Sequence, residues 1–129
     1  MSLQQEMHFE SGLLRVEARG EFSLDEAKRG FIEVLEAVAR YEAEKVLIDG
    51  RKVTGKPEVI ERFYYGVFAA EETSRLGKEH RVFPRFAYVL HEPVRDPGGF
   101  GEYVAANRGM IIKTFENPEE AIEWLEIRR

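Results

Sequence analysis

Residues 45–56, KVLIDGRKVTGK, decide the architecture of this chain. A short apolar strand at residues 46–48 ends in Asp49 and Gly50, and the basic residues that follow predict a loop before the next helix. One strand-and-helix unit precedes this stretch, and two more follow it. In open α/β sheets, ligands and partners usually dock in the crevice beyond the carboxyl ends of such strands. The stretch is therefore the first place to look for function.

The segment upstream of this stretch predicts a hairpin and a helix. Ser11 and Gly12 are turn formers between two extended segments. Ser23 followed by Glu26 has the pattern of a capping box, so a helix should begin there. Its apolar residues keep a 3.6-residue period to about Tyr41, which predicts a helix packed on a sheet.

The segment after the stretch predicts a second helix. Pro57 suits the first turn of a helix, because its missing amide would have had no partner there. The helix should end near Gly77, since glycine readily adopts the left-handed conformation that stops helices. The expected buried stripe consists of Val59, Ile60, Phe63, Tyr64, Val67 and Phe68.

The remainder of the chain predicts two more strands and two more helices. Residues 86–90 are apolar on both faces, as expected of an interior strand. A short helix should run from about residue 100 to residue 107, before a last strand at residues 110–115. Asn117 and Pro118 then predict the N-cap and first position of a final helix.

The resulting order, ββαβαβαβα, predicts an α/β fold with a single mixed five-stranded sheet covered by about four helices. The 129 residues, 43% of them hydrophobic, suit one domain over residues 1–129. The formal charge of -5 argues against a nucleic-acid partner. There is no cysteine for a disulfide or thiolate metal site, and no apolar run suits stable membrane insertion. We therefore expect a cytoplasmic protein.

Several segments resemble a known family. Residues 20–25, GEFSLD, and residues 45–49, KVLID, resemble the STAS domain of anti-sigma-factor antagonists and sulfate-transporter tails. Residues 113–125, KTFENPEEAIEWL, are similar to the closing strand and Ala-x-x-Trp-Leu helix of the divergent SpoIIAA-like branch. The resemblance covers nearly the whole chain in element order. It implies a five-stranded α/β domain of bacterial type that binds a partner protein or a small ligand, without catalysis.

The chain departs from this family at the phosphorylation site. STAS antagonists carry a phosphorylatable serine at the start of the helix after the central strand, and the matching position falls near Pro57 and Glu58. No serine occurs between Ser23 and Ser74, and Thr54 is a weak substitute. The resemblance therefore does not extend to the usual serine phosphoswitch.

Residues 50–56, GRKVTGK, match the G-x-x-x-x-G-K part of a phosphate-binding loop. Pro57 stands where a magnesium-binding hydroxyl belongs, so a solvated basic turn is the simpler interpretation. Contact of Arg51, Lys52 and Lys56 with an anion at the helix N-terminus remains a weaker hypothesis.

Asp49 has two interpretations. It can act as an acid or base, or it can order the following loop through an Asx-type hydrogen bond, which is the more common role. His8, His80 and His91 have no partner at the spacing of a metal site or a catalytic triad. The sequence thus contains no catalytic constellation, and we expect no enzyme activity and no cofactor.

The aromatic residues of the second helix include one that should be exposed. Tyr64 and Tyr65 are adjacent, so they cannot both face the sheet. An exposed aromatic residue near Arg62 suits a partner surface or the mouth of a ligand pocket.

Two hypotheses of function remain. The leading one is a non-catalytic regulatory domain that docks a protein partner through the stretch after Asp49 and the start of the next helix. The alternative is a carrier that holds a small apolar or lipid-like ligand between the aromatic helix and the sheet. A homodimer is a reasonable expectation, because two-fold dimers are the commonest assembly. The candidate residues for binding a partner or ligand are Asp49, Arg51, Lys52, Thr54, Lys56, Tyr64 and Tyr65.

Overall fold

The computed structural model describes residues 2–126, which form one five-stranded sheet and four helices. The strands lie in sequence order, β1 antiparallel to β2 and the others parallel, so the predicted fold class is confirmed. The strands are β1 Gln4–Glu10, β2 Leu13–Glu21, β3 Lys45–Thr54, β4 Arg85–Val89 and β5 Ile111–Phe115. The helices are α1 Leu24–Tyr41, α2 Val59–His80, α3 Phe100–Ala106 and α4 Pro118–Glu126.

The predicted hairpin joins β1 and β2. Ser11 and Gly12 both have positive φ angles, 54° and 80°. This left-handed pair is the signature of the tight turns whose twist matches that of the flanking strands. In β2, the side chains of Leu14 and Val16 are fully buried on one face of the sheet.

The first helix begins and ends where the sequence predicts. The Ser23 hydroxyl caps it by accepting from the amide of Glu26 at 3.4 Å. The Glu26 carboxylate accepts from the amide of Leu3 at 3.2 Å, so it ties the helix to the strand that starts the sheet. The last turn ends at Glu42, which adopts the left-handed conformation.

The second helix differs from its prediction at both ends. It starts at Val59 with Glu58 as N-cap, so Pro57 precedes the helix and does not occupy its first turn. The helix continues through Gly77 to His80. Gly77 therefore does not end the helix. The Phe83 ring packs against it, 2.8 Å from where a Cβ would stand, so the small size of this glycine has a packing role.

The buried stripe expected on this helix forms only in part: Phe63, Val67 and Phe68 are half-buried, and Phe68 packs against the apolar core. Val59, Ile60 and Tyr64 are 69%, 51% and 50% exposed. The helix packs closely through small residues, including Gly66 and Ala69, which let the neighbouring helices approach. The 3.6-residue period of the bulky apolar residues does not predict this face, because small side chains make the contact between the helices. The residues of this helix that are buried are Gly66, Ala69, Ala70, Leu76 and Gly77.

The two faces of the sheet carry separate apolar cores. The larger core lies beneath α1, α2 and α3, and the smaller one lies beneath α4. Phe31 and Phe86 are the largest fully buried side chains of the larger core, with ring centroids 5.5 Å apart. Burying each such side chain is worth about 1.5–3 kcal/mol, so the larger core holds the helices on the sheet.

The last part of the chain follows its prediction closely. The interior strand, the short third helix and the final strand all form within one or two residues of the expected bounds. Asn117 caps α4 by accepting from the amides of Glu119 and Glu120, at 2.8 and 3.2 Å. Within residues 2–126, no helix is both long enough and apolar enough to cross a membrane.

Candidate functional site

The stretch after Asp49 is a strand and not the predicted basic loop. β3 extends to Thr54, and its pairing with β2 continues to Glu21 opposite Thr54. The register shifts between Glu17 and Arg19, because β3 holds one extra residue there. Such a β-bulge lets a strand bend without losing its partner. The sequence alone hid this, because two glycines and three basic residues within seven positions are typical of a solvated turn.

The phosphate-loop hypothesis fails for the same reason. The backbone of residues 52–54 pairs with β2, so its amides cannot cradle a phosphate. Two acidic residues, Glu58 and Glu61, also lie at the start of α2. The Glu61 carboxylate accepts a hydrogen bond from the amide of Glu58 at 2.8 Å. Two carboxylates at this helix end disfavour an anion there.

Asp49 orders the backbone that follows it, which is the second of its two predicted interpretations. Its Oδ1 accepts from the Arg51 amide at 3.1 Å, which is the predicted Asx-type bond. The Arg51 guanidinium also forms a two-point ion pair with the carboxylate, at 3.0 and 2.7 Å. The side-chain hydrogen bond from Arg51 holds the pKa of Asp49 below its usual value. The same bond raises the pKa of Arg51.

The other predicted polar residues are exposed along the end of β3. Lys52 and Lys56 form no ion pair within the described part of the chain, and both point to solvent. The Thr54 hydroxyl donates to the carbonyl of Gly20 at 3.4 Å, so it bridges two strands.

The seven candidate residues do not form one site. Leu47 belongs to the smaller core and Ile48 to the larger one, so Asp49 faces the α4 side of the sheet. Tyr65 lies on the opposite side, packed against the larger core. Tyr64 is the exposed member of the tyrosine pair, which confirms that one of the two is exposed, although the predicted stripe had placed Tyr64 on the buried face.

A cavity of about 510 Å³ lies between the larger-core face of the sheet and the helices above it. This volume is in the range of pockets that enclose small molecules. Most of the lining is apolar. Its apolar and aromatic lining residues include Phe22, Phe31, Val34, Ile48, Val53, Tyr65, Ala69, Tyr88, Leu90, Val94, Ala105 and Ile112.

A pair of phenols forms the polar centre of the cavity. The hydroxyl oxygens of Tyr65 and Tyr88 lie 2.7 Å apart and share one hydrogen bond. Burial raises the pKa of Tyr65 to about 12 and the pKa of Tyr88 well above its ordinary value. Both phenols are therefore neutral at physiological pH and act as hydrogen-bond donors or acceptors.

One end of the cavity is closed by the irregular segment before α3. Arg62 of α2 fixes this segment by donating to the carbonyls of Pro93 and Val94, at 2.8 and 2.7 Å. Asp96 orders the next turn by accepting from the amides of Gly98 and Phe100. The second of these bonds is the main reason that the pKa of Asp96 is lowered.

Sequence patterns indicate only part of this cavity. The aromatic second helix suggested a ligand space, but Tyr88 looked like an ordinary core residue of an interior strand. In the sequence, Arg62 is notable only for its position beside the aromatic residues, and nothing in the spacing of Arg62 and Arg95 shows that the segment folds back over the sheet. Among residues 2–126, no group of three His, Cys, Asp or Glu side chains could hold a metal ion.

No family model matches the sequence, and no curated protein matches it. Among solved structures, the chain is similar to an anti-sigma factor antagonist from Mycobacterium paratuberculosis, with a TM-score of 0.62 and 12% identity. The similarity covers 98% of this chain and 96% of that one.

A second similar structure is an uncharacterised protein of the DUF3478 family from Shewanella loihica PV-4, which has a SpoIIAA-like fold. The TM-score is 0.52 at 20% identity, over 96% of this chain and 93% of the other. Both similarities extend over the whole sheet and its helices. This chain therefore has the SpoIIAA-like α/β fold that the resemblance implied.

Proposed function

We propose that this chain is a non-catalytic binding domain that holds a small, largely apolar ligand in the cavity between the sheet and α2. The observation that supports this function best is the cavity itself, about 510 Å³ in volume and mostly apolar. An apolar space of this size gains free energy when a ligand replaces water, because apolar surface is removed from solvent. The phenols of Tyr65 and Tyr88, hydrogen bonded to each other, add a polar but uncharged pair to this lining.

Native mass spectrometry of the freshly purified protein tests the proposal. A bound ligand appears as an extra mass that vanishes under denaturing conditions. Ala18→Leu should abolish the extra mass, because Ala18 is a half-buried lining residue whose enlarged side chain would extend into the cavity. Ala106→Leu makes the same change at an exposed position of α3 and should leave the extra mass in place. A bare wild-type chain that also fails to take up apolar probes would contradict the proposal.

A second candidate function is the docking of a protein partner, which the exposed face around Lys56 favours. Lys52 and Lys56 are exposed and lack ion pairs within residues 2–126. Exposed Ile60 and Tyr64 follow on one side of α2, four residues apart. A partner with an acidic and apolar docking face would match such unpaired cations and an exposed aromatic and aliphatic patch. The similarity to an anti-sigma factor antagonist supports a regulatory role of this kind.

Charge reversal tests the docking function. Lys52→Glu with Lys56→Glu should weaken the binding of an acidic partner and remove most of its salt dependence. Arg40→Glu with Lys78→Glu changes the same amount of charge at exposed positions elsewhere and serves as control. Equal binding by both double variants would contradict the docking site. Light scattering of the purified chain shows whether a second copy covers the patch, in which case Tyr64→Ala should dissociate the dimer.

A further inference from the structure

The phenol pair in the cavity has more hydrogen-bond donors than it uses. Tyr65 and Tyr88 carry one proton each, and their contact at 2.7 Å consumes only one of them. Neither oxygen has a second partner within residues 2–126. Burial keeps both phenols protonated at neutral pH. One phenolic O–H is therefore available to an acceptor inside the cavity, and a buried donor without an acceptor is unfavourable.

Arg95 supplies a second unused donor at the cavity lining. Its Nε is buried and has no hydrogen-bond partner in the described chain. Arg62, which lines the same space, already donates to the carbonyls of Pro93 and Val94. The cavity therefore presents hydrogen-bond donors to whatever occupies it.

The charge of the lining selects against an anionic occupant. Five carboxylates and three guanidinium groups line the cavity, a formal excess of two negative charges. A carboxylate ligand would meet this repulsion and would also lose its hydration on entry. A neutral oxygen acceptor has neither cost. The charged lining residues are Glu26, Glu33, Glu61, Asp96, Glu102, Arg29, Arg62 and Arg95.

We infer that the ligand is an uncharged, largely apolar molecule with at least one oxygen acceptor, such as a ketone, ester or alcohol, which accepts a hydrogen bond from the phenol pair. This inference rests on the proposed ligand-holding function and names its chemical class. The neutral phenols recognise the oxygen, and the apolar lining takes up the remainder of the molecule.

A displacement experiment with three probes of similar size tests the inference. The fluorophore is N-phenyl-1-naphthylamine, an uncharged dye whose emission rises in apolar surroundings. Its competitors are benzophenone, a neutral ketone; diphenylmethane, which lacks the oxygen; and diphenylacetate, an anion. Benzophenone should displace the dye at a concentration roughly twofold to tenfold lower than diphenylmethane does. This ratio corresponds to the net free energy of one additional hydrogen bond. Diphenylacetate should be the weakest competitor.

Matched variants connect the preference to the phenols. The double variant Tyr65→Phe/Tyr88→Phe keeps the ring shapes and leaves no hydrogen-bond partner unpaired, so it should fold normally. It should bind diphenylmethane as the wild type does and lose the preference for benzophenone. Each single variant should retain much of the preference, because the O–H of the remaining phenol is free to donate to the ligand. Tyr103→Phe, at an exposed position of α3 outside the cavity lining, serves as control and should behave as the wild type.

The outcomes separate the inference from the function on which it rests. If the dye and all three competitors bind with no preference for the ketone, or if diphenylacetate binds best, the ligand class is wrong and the ligand-holding function stands. Retention of the ketone preference in the double variant would also overturn the inference. If neither the dye nor any competitor binds the wild-type chain, the ligand-holding function itself fails.

Discussion

Asp49 shows how a carboxylate at the end of a central strand can serve the backbone and not chemistry. It accepts from the amide and the guanidinium of Arg51, and both bonds bridge the point where β3 bulges. Its role is to hold the exposed end of the strand in register with β2.

The Asp49–Arg51 pair predicts a specific pH dependence of stability. The pKa of Asp49 is lower in the folded chain than its ordinary value of 3.8. The pair therefore stabilises the fold above that pH, and the contribution is lost as the pH falls and the carboxylate becomes protonated. Because Arg51 is exposed, the loss should amount to at most about 1 kcal/mol. Urea unfolding of wild type and Asp49→Asn at neutral and acid pH measures it.

The Asp49→Asn variant should be less stable than the wild type at neutral pH and should approach it in acid. Asp25→Asn, which removes an exposed carboxylate from the first turn of α1, controls for the loss of one charge. A constant difference between Asp49→Asn and the wild type at all pH values would contradict the prediction.

The phenol pair predicts the opposite dependence in alkali. The pKa of Tyr65 rises to about 12 on folding, and that of Tyr88 also rises. Between its ordinary pKa of 10.0 and this raised value, the unfolded chain loses the proton and the folded chain keeps it. Stability should therefore fall as the pH rises through this window. The Tyr65→Phe/Tyr88→Phe variant should lack most of that slope.

Ultraviolet titration of phenolate measures the same property directly. Of the five tyrosines in the sequence, Tyr41, Tyr64 and Tyr103 are exposed, whereas Tyr65 and Tyr88 form the buried pair. The wild type should show two groups that ionise late, and the double variant should show none of them. Ionisation of all five tyrosines in one early step would mean that the cavity is open to water at the phenols.

At the scale of elements, the contact between α2 and α3 depends on the absence of a side chain. A Cβ on Gly66 would lie 2.9 Å from the Gly101 carbonyl oxygen and 3.1 Å from the Val104 side chain. Both neighbours belong to α3, so α2 and α3 touch at this point. The same glycine lines the cavity, and the contact therefore helps to set its shape.

Gly66→Ala should separate these two helices. Overpacking of this kind typically costs about 1–3 kcal/mol, which we expect to see in urea unfolding. Gly30→Ala in α1 is the matched control: its Cβ would meet only the flexible end of Gln5, at 3.0 Å. That change should be neutral or stabilising, because alanine favours a helix over glycine by about 1 kcal/mol. Equal effects of the two substitutions would contradict the role assigned to Gly66.

The elements also show what the sequence could and could not predict. Caps and turns were predictable, because Ser23 and Asn117 act on residues two to three positions away. The buried face of α2 was not, because small residues carry it and bulky residues such as Ile60 stay exposed. The end of β3 was missed because its partner, β2, is distant in sequence, so no local pattern reports the pairing.

At the scale of the whole molecule, the two faces of the sheet differ in how they are packed. The smaller core under α4 is closed and contains Leu125 and Ala121, which are fully buried. The other side contains the cavity. The fold class and the order of elements along the chain were predictable from the alternation of strands and helices. The cavity was not, because it depends on how three helices pack over one face of the sheet. No single segment encodes that arrangement.

Removal of the ligand predicts a change in the stability of the whole chain. A ligand that binds only the folded state, at a free concentration of about 100 times its dissociation constant, raises the free energy of unfolding by about 2.7 kcal/mol. Protein stripped by a hydrophobic resin should therefore melt at a lower temperature than protein as purified, and adding back the extract should restore the melting temperature. The Ala18→Leu variant should melt equally before and after stripping. Unchanged melting of the wild type would contradict a bound ligand.

The order of the strands has a consequence for how the chain folds. Each strand pairs only with the strands next to it in sequence, and β1 needs only a two-residue turn to find β2. No strand has to wait for a distant segment, so the loops that must close are short for a largely parallel sheet. During synthesis, the hairpin and α1 can form before β3 emerges from the ribosome, and each later unit can add to an existing edge. The chain can thus assemble in the order in which it is made.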